Sequence, residues 1–236
     1  MLIQGLRLWI AGTNAWVVVP PGQVARSGGR SGPGRECVLV DAPPDPEAIL
    51  SHLGDNDLRL VALLATHGHA DHVGGVSEVV GAQNHAVPVH LHDADRHLLV
   101  DPVANGGTLG QLLASMDLDL EAPELVYGLD DGQQVSGAGM TFTAIHTPGH
   151  TKGSVCFLLE IEGEAPVLFS GDHLFAGSIG RTDLPGGSYE ELMESMASKI
   201  LPLDDAIGVL PGHGPATTIG DERRTNPFIA RLLNRQ

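Results

Sequence analysis

The sequence predicts a mixed α/β fold in a single domain that spans residues 1–236. Apolar and β-branched runs of strand length alternate along the chain with stretches of helical periodicity. A chain of 236 residues is long enough to bury one large core, and we find no stretch typical of a long interdomain linker. These observations predict either two sheets packed face to face with helices outside, or one open α/β sheet.

The predicted elements are short. The strands lie at residues 2–10, 15–19, 36–41, 58–66, 87–91, 134–146, 154–161, 166–170 and 206–210. The helices lie at residues 46–53, 75–83, 92–99, 108–116, 188–200 and 221–234. Two helices begin with recognisable signals, since Pro46 occupies an initial helical position and Ser188 precedes two acidic residues of a first turn.

Two segments between these elements have distinct compositions. Residues 20–35 are rich in Gly, Pro, Ser and Arg, which is typical of a flexible hairpin loop inserted between two strands. Its three arginines could contact an anionic ligand, but a solvated loop fits the composition better. Residues 101–128 contain Gly106, Gly107 and several leucines, and we expect them to form a helical flap over a pocket.

The charge of the chain limits its partners. Lys and Arg number 13 against 29 Asp and Glu, which gives a formal charge of −16 with histidine neutral. Such a surface repels phosphate backbones, so we predict a small-molecule substrate and no nucleic acid. No segment approaches the roughly 20 apolar residues of a membrane helix, and we predict no membrane partner. The oligomeric state has no signature in the sequence.

The two cysteines, Cys37 and Cys156, lie in strand-like runs. They form no C-x-x-C pair and are too few for a disulfide framework, so we expect buried, inert thiols. The N-terminal segment has no basic leader and no small-residue cleavage site. These features predict a cytoplasmic location.

The stretch T-H-G-H-A-D-H at residues 66–72 predicts a metal site. His67 and His69 directly follow a predicted apolar strand. In an extended backbone, the side chains of residues i and i+2 project on the same side, so both histidines can bind one ion. Asp71 and His72 follow where the backbone turns toward a helix and would point at a neighbouring position. The spacing therefore favours two metal ions side by side.

Three further donors follow apolar runs elsewhere in the chain. They are His150 in T-P-G-H-T, Asp172 in L-F-S-G-D-H and His213 in V-L-P-G-H-G. The alternative is a scatter of polar residues in a chain that has 12 histidines. The flanking Gly and Pro-Gly favour a site, because they let the backbone turn sharply and approach closely.

These motifs, together with Asp41 at the end of V-L-V-D, resemble the metallo-β-lactamase superfamily along the whole chain. The resemblance implies a four-layer αββα sandwich and a dinuclear metal site. The implied ligands are His67, His69 and His150 for the first metal, Asp71, His72 and His213 for the second, and Asp172 as a bridge between them. Asp71 would also orient a hydroxide between the ions, and Asp41 would orient a ligand by hydrogen bonds.

Within the superfamily the chain resembles the short, single-domain bacterial hydrolases of the glyoxalase II group. The motifs that carry this resemblance are I-H-T-P-G-H-T, S-G-D-H-L-F and G-R-T-D-L-P-G-G-S. It implies hydrolysis of an acyl thioester, such as S-lactoylglutathione or a 2-hydroxyacyl conjugate of another small thiol. Zinc is the expected metal, with iron or manganese as alternatives. β-Lactamases of the commonest type carry Cys where this chain has Asp172, so antibiotic hydrolysis is disfavoured.

Two residues outside the predicted ligand set, Arg181 and His146, have predicted roles near the site. Arg181 is the predicted contact for a substrate carboxylate, because a guanidinium binds carboxylates through two hydrogen bonds. A salt bridge to Asp183, where the two-domain glyoxalase II has an aromatic residue, is an equal alternative. His146 is predicted to support a ligand or face the substrate, or else to be a structural histidine.

Three other functions compete with the thioester hydrolase. A persulfide dioxygenase has a similar G-R-T-D stretch but uses one iron held by two histidines and an aspartate, whereas seven ligands are present here. An RNA-processing nuclease of the same fold would need a basic surface. A non-catalytic metal-binding module would be expected to lack a ligand.

Overall fold

Two six-stranded sheets form the centre of the computed structural model, which describes residues 1–22, 34–105 and 107–233. The strands of the first sheet are, in spatial order, β1 (Leu2–Leu8), β2 (Thr13–Val19), β3 (Arg35–Val40), β4 (Leu58–Leu64), β5 (Val89–His90) and β6 (Val126–Tyr127). β1, β2 and β3 pair antiparallel, whereas β3 to β6 run parallel.

The second sheet has the spatial order β14-β13-β10-β9-β8-β7. Its strands are β7 (Gln134–Gly137), β8 (Met140–His146), β9 (Val155–Leu159), β10 (Val167–Gly171), β13 (Gly208–Pro211) and β14 (Thr217–Thr218). β10 and β13 are parallel, and the other neighbours are antiparallel. A separate hairpin is formed by β11 (Leu174–Phe175) and β12 (Ser178–Ile179).

Short helices cover the outer faces of both sheets. They are α1 (Pro46–Asp55), α2 (Ala70–Val73), α3 (Val76–Gly81), α4 (Arg96–Val100), α5 (Pro102–Asn105), α6 (Gly107–Leu113), α7 (Tyr189–Ser195), α8 (Ile219–Thr225) and α9 (Pro227–Leu233). A 3-10 turn at Asp93–Asp95 precedes α4, and a turn of π-helix at Met196–Ile200 extends α7. The Ser188 hydroxyl accepts a hydrogen bond from the Glu191 amide and caps α7, as the sequence predicts. No helix in these described ranges is long and apolar enough to cross a membrane.

The sheets pack face to face because alternate side chains of each strand point to opposite faces. Val38 of β3 and Phe142 of β8 belong to one buried cluster between the sheets. Leu39, the next residue of β3 after Val38, packs with Ile49 of α1 on the outer face of the first sheet. Leu168 of β10 packs with helical residues on the outer face of the second. The layers are therefore α, β, β and α, which confirms the predicted sandwich.

The structure corrects several predicted boundaries. The single strand predicted at 134–146 is a hairpin, since Ala138 and Gly139 have positive φ angles of 53° and 76° and reverse the chain. The helix predicted at 221–234 is interrupted at Asn226, which is extended as expected for a residue before proline. Within the predicted loop 20–35, residues 23–33 lie outside the described part of the chain.

Candidate metal centre

The predicted ligands meet at one edge of the sandwich, next to the carboxyl ends of four strands. Each of these predicted ligands or supporting residues lies shortly after the end of a strand: Asp41 after β3, His67 and His69 after β4, Asp172 after β10, and His213 after β13. Parallel strands place their carboxyl ends at the same edge of a sheet. The two sheets are also connected here, since the Asn14 amide donates to the Gly212 carbonyl oxygen at 2.7 Å.

His67, His69 and His150 form a three-histidine group. The distances are 3.1 Å from His67 Nε2 to His69 Nδ1, 2.9 Å from His69 Nδ1 to His150 Nε2, and 3.2 Å from His150 Nε2 to His67 Nε2. A tetrahedral zinc ion with Zn–N bonds of about 2.0–2.1 Å separates its ligand nitrogens by roughly 3.3 Å. The spacing of the three nitrogens therefore fits one metal ion.

Hydrogen bonds on the far sides of two rings fix their tautomers. His150 Nδ1 donates to the Arg181 carbonyl oxygen at 2.7 Å. The Thr66 hydroxyl donates to Asp41 Oδ2 at 2.8 Å, and it accepts from His67 Nδ1 at 3.1 Å. In the neutral rings, Nε2 of His67 and Nε2 of His150 consequently carry lone pairs that face each other. Such an arrangement is unfavourable unless a cation lies between the nitrogens.

Asp71, His72 and His213 form a second, acid-containing group beside the first. His213 Nε2 lies 3.2 Å from Asp71 Oδ2 and 3.3 Å from His72 Nε2. His72 Nδ1 pairs with Asp41 Oδ2 at 2.8 Å, so His72 Nε2 is the nitrogen that points into the group. These residues, like the three-histidine group, offer donor atoms close enough to bind one ion.

Asp172 lies between the two groups. Its Oδ2 atom is 3.6 Å from His150 Nε2 and 3.6 Å from His213 Nε2. Its Oδ1 atom is buried without a hydrogen-bond partner among the described residues, although His72 Nε2 lies 3.3 Å away. A side chain at Gly212 would collide with Asp172 and His72, so this close approach requires glycine. An unpaired carboxylate oxygen between two histidine groups fits a bridging metal ligand.

Two members of the three-histidine group, His67 and His69, stay neutral because they are buried together. Burial, together with the adjacent His150, lowers the pKa of His69 to about 3. Burial, with additional repulsion from His72 and His150, also lowers the pKa of His67 well below its usual range. A metal ion binds neutral imidazole, so these rings need not lose a proton to bind it near neutral pH.

The histidines of the acid-containing group have pKa values shifted in the opposite direction. Burial opposes protonation of His72, but Asp172, Asp71 and Asp41 outweigh it and raise the pKa of His72. Burial also opposes protonation of His213, whose pKa is raised by its hydrogen bond to Asp71. Burial of Asp71 and Asp172 disfavours their ionisation, yet the charge of His72 prevails and lowers the pKa of both. Protons on these histidines thus balance the carboxylates.

Asp41 connects the two groups, in the supporting position that the resemblance implies. Besides His72 and the Thr66 hydroxyl, it accepts a hydrogen bond from the Thr66 amide at 2.8 Å. Its backbone has a φ of 60°, a conformation that costs about 1–3 kcal/mol in a residue other than glycine. The three hydrogen bonds to its buried carboxylate offset that cost.

Asp95 is a supporting residue that the sequence analysis missed. Its carboxylate is 1% exposed and accepts hydrogen bonds from the Gly68 amide at 2.9 Å, the Thr151 hydroxyl at 2.6 Å and the Gly153 amide at 2.8 Å. Gly68 lies between His67 and His69, and Thr151 follows His150 in the chain. Asp95 therefore ties together the two loops that carry the three-histidine group. No local motif distinguishes it from other surface acids.

Thr13 and Asn14 were also missed, and they support the acid-containing group. The Asn14 side-chain amide donates to the carbonyl oxygens of Pro211 and Gly214, both at 3.0 Å, on either side of His213. The Thr13 hydroxyl donates to Asp71 Oδ2 at 3.2 Å. Both residues begin β2, and their spacing in sequence from His213 gives no signal of this contact.

Arg181 and His146 lie outside the two ligand groups. Arg181 forms two hydrogen bonds with Asp183, each 2.8 Å long, so the alternative salt bridge is present. The His146 ring contacts the Lys152 carbonyl oxygen at 2.9 Å and stacks on His92 at a centroid distance of 4.0 Å. The predicted substrate contact of Arg181 and the supporting role of His146 both remain predictions.

A cavity of about 790 Å³ opens beside the ligands. His69, Asp71, His150, Asp172 and His213 are among the residues that line it. Its walls come from several elements and include the apolar residues Leu98, Leu109, Phe175, Ile179, Leu184 and Pro185. Residues 107–109 of α6 line the cavity, and they belong to the segment for which a flap is predicted.

Comparisons with known proteins identify the family of this chain. Residues 28–213 match the family model of the metallo-β-lactamase superfamily. An uncharacterized protein of Mycobacterium tuberculosis is 39% identical over 98% of this chain and 99% of its own length. The hydroxyacylglutathione hydrolase GloC of Haemophilus influenzae is 36% identical over 83% of this chain and 88% of its own length.

Two solved structures are similar over nearly the whole chain. The BLEG-1 B3 metallo-β-lactamase has a TM-score of 0.81 and 37% identity, covering 97% of this chain and 99% of that one. TTHA1623, solved in a di-iron-bound form, has a TM-score of 0.76 and 35% identity, covering 95% and 99%. The chain therefore belongs to the metallo-β-lactamase superfamily of metal-dependent hydrolases.

Proposed function

We propose that this chain is a dinuclear metal-dependent hydrolase of acyl thioesters. The position of Asp172 is the main support, because one carboxylate oxygen lies 3.6 Å from a histidine of each ligand group. The similar protein TTHA1623 has been solved in a di-iron-bound form, which supports two metals. The name of GloC, a hydroxyacylglutathione hydrolase, supports the thioester as the bond that is cleaved.

Two divalent cations, when bound, would lower the pKa of a water molecule toward neutrality and polarise the substrate carbonyl. The three-histidine group would bind one cation and the acid-containing group the other, with Asp172 shared. The donor set of histidine and carboxylate suits zinc, iron or manganese.

The protein side chains orient the water and the ligands. Asp71 Oδ2 lies 3.2 Å from both Thr13 Oγ1 and His213 Nε2, and these contacts fix the direction of the carboxylate. Asp71 also lines the cavity. It can therefore accept a hydrogen bond from the attacking water and orient it. The His72 ring is held by Asp41, and the His150 ring by the Arg181 carbonyl oxygen. A thiolate is a good leaving group, so cleavage needs no strong general acid.

Thiol release from S-lactoylglutathione without oxygen tests the proposal. We expect metal-loaded protein to release glutathione anaerobically, with a matched loss of the thioester absorbance. Metal-loaded protein that releases no thiol from this or other acyl thioesters would contradict the proposal. Oxygen uptake with a persulfide substrate would instead indicate the dioxygenase.

β-Lactam hydrolysis is a second candidate because of one observation. BLEG-1, a B3 metallo-β-lactamase, is 37% identical over 97% of this chain. Turnover of a chromogenic cephalosporin by the same metal-loaded preparation measures this activity directly. We expect the thioester to be the better substrate, with kcat/KM values compared in one buffer.

A further inference from the structure

We infer that the preferred thioester carries no net charge on the thiol portion that fills the cavity, an inference that rests on the proposed function. Two features of the cavity beyond the metal ligands point to such a substrate. Its walls are largely apolar, and each lysine or arginine that lines it within the described residues is already paired with a carboxylate.

Apolar side chains from several elements line the same cavity as the predicted ligands. Leu98 comes from α4, Leu109 from α6, and Ile179 from β12, while Leu184 belongs to the loop that follows β12. These side chains cannot replace the hydration of a charged group, so a carboxylate placed against them would lose binding energy. An uncharged group loses much less hydration on entering the same space.

Arg181 has little free capacity to bind an anion. Its Nε and Nη2 atoms each lie 2.8 Å from one oxygen of Asp183, which is the two-pronged geometry that a substrate carboxylate would otherwise use. A substrate carboxylate would have to displace Asp183 and would exchange one exposed ion pair for another. Exposed pairs contribute little, so this exchange gives little affinity.

Lys152 is paired in the same way. Its Nζ atom lies 2.8 Å from both carboxylate oxygens of Glu191, a residue in the first turn of α7. The formal charge of −16 on the whole chain adds long-range repulsion of anions. Anion recognition by the cavity is therefore weak, and an uncharged thiol carrier fits it better than glutathione, which has two carboxylates and one ammonium.

Two substrates with the same acyl group test the inference on metal-loaded, full-length protein. S-lactoylglutathione has a charged thiol portion, whereas S-lactoyl-N-acetylcysteamine is uncharged. We expect kcat/KM to be about tenfold higher for the uncharged thioester, since repulsion and lost hydration act on the charged one alone. Measurements at low and high salt should bring the two values closer at high salt.

Variants that break the ion pairs of Arg181 and Lys152 should reduce the preference for the uncharged thioester. Asp183→Asn leaves Arg181 without its carboxylate partner, and Glu191→Gln does the same for Lys152. Each variant should raise the ratio of kcat/KM for the charged thioester to kcat/KM for the uncharged one by roughly three- to tenfold. Asp55→Asn is the matched control, because it removes one exposed acid from α1, which packs on the outer face of the first sheet. The ratio should be unchanged in that variant.

The outcomes separate the inference from the proposed function. A preference for the uncharged thioester that is reduced by Asp183→Asn supports the inference. A preference for S-lactoylglutathione in the unmodified protein overturns it and leaves thioester hydrolysis intact. Failure of metal-loaded protein to cleave either thioester overturns both.

Discussion

The three-histidine group and the acid-containing group lie on opposite sides of Asp172, and they differ in charge. The first group consists of imidazoles, and burial keeps His67 and His69 neutral, with the pKa of His69 lowered to about 3. The second group combines two histidines with carboxylates, and the pKa of His213 is raised. The raised pKa values of His72 and His213 mean that protons compete with a cation for these nitrogens.

The groups also differ in how they are supported. Asp95 joins the two loops of the three-histidine group through a buried carboxylate. Asn14, at the start of β2 in the first sheet, supports the segment around His213 across the gap between the sheets. Its neighbour Thr13 supports Asp71, which follows β4 of the same sheet. Asp41 supports both groups, but Asp95 contacts only the loops of the first group, and the contact between the sheets supports only the second. This difference predicts that the two sites can be weakened separately.

Removal of the shared ligand should have the largest effect. Asp172→Ala deletes the carboxylate between the groups, so we expect kcat for thioester hydrolysis to fall on the order of 10³-fold or more. Circular dichroism should show that the variant remains folded. Asp55→Ala, on the surface of α1, is the control and should retain normal turnover. Near-normal turnover of Asp172→Ala with full metal content would exclude a bridging role.

Loss of the supporting acid should weaken the three-histidine site selectively. Asp95→Asn replaces a charged acceptor of three hydrogen bonds, and changes to such supporting residues typically reduce metal affinity about 10–100-fold. Chelator competition should detect a weaker first site and an unchanged second one. Asp93→Asn is the matched control, because Asp93 lies two residues away with a side chain that is 71% exposed. Equal weakening by both variants would contradict the role of Asp95.

Acidification should release metal from the acid-containing site first. A histidine must be neutral to bind a metal, and a raised pKa means that a proton competes at higher pH. The pKa of His213 is raised above 6.5, the usual value for histidine, so a proton competes with the metal there at a higher pH. The pKa of His69 is about 3, so protons compete at this member of the three-histidine group only in strong acid. The absorption spectrum of cobalt-loaded protein should therefore change in two steps as the pH falls. A single step, with both ions released together, would contradict the comparison.

Deletion of a single peripheral hydrogen bond should have the smallest effect. Thr13→Val removes the donor to Asp71 Oδ2 and preserves side-chain shape. One hydrogen bond contributes about 0.5–1.5 kcal/mol, so kcat should fall by roughly two- to tenfold. Thr141→Val, at an exposed position of β8, serves as the control. An unchanged kcat for Thr13→Val would show that Asp71 does not depend on this contact.

The ligands could be proposed from sequence because their signals are local. A strand followed by a histidine or aspartate beside glycine is visible at His67, Asp172 and His213 without knowledge of the fold. Asp95 and Asn14 have no such signal, because their burial arises from residues far away in the chain. Asp93 and Asp95 look equivalent in sequence, yet one is exposed and the other accepts three hydrogen bonds.

The same distinction applies to the fold. Long apolar runs such as β4 were predicted because burial on both faces leaves a continuous hydrophobic pattern. The two-residue strands β11 and β12 were missed, since so short a segment has no periodicity. The break before Pro227 could have been predicted from the restriction that proline places on the preceding residue.

The metal-to-chain ratio of the unmodified protein and of His213→Ala tests the central claim most directly. Elemental analysis after loading and removal of free metal should give two ions per chain for the unmodified protein and about one for the variant, because the three-histidine group is left intact. One ion per chain in both proteins would contradict a dinuclear site and would show that His213 is not a ligand.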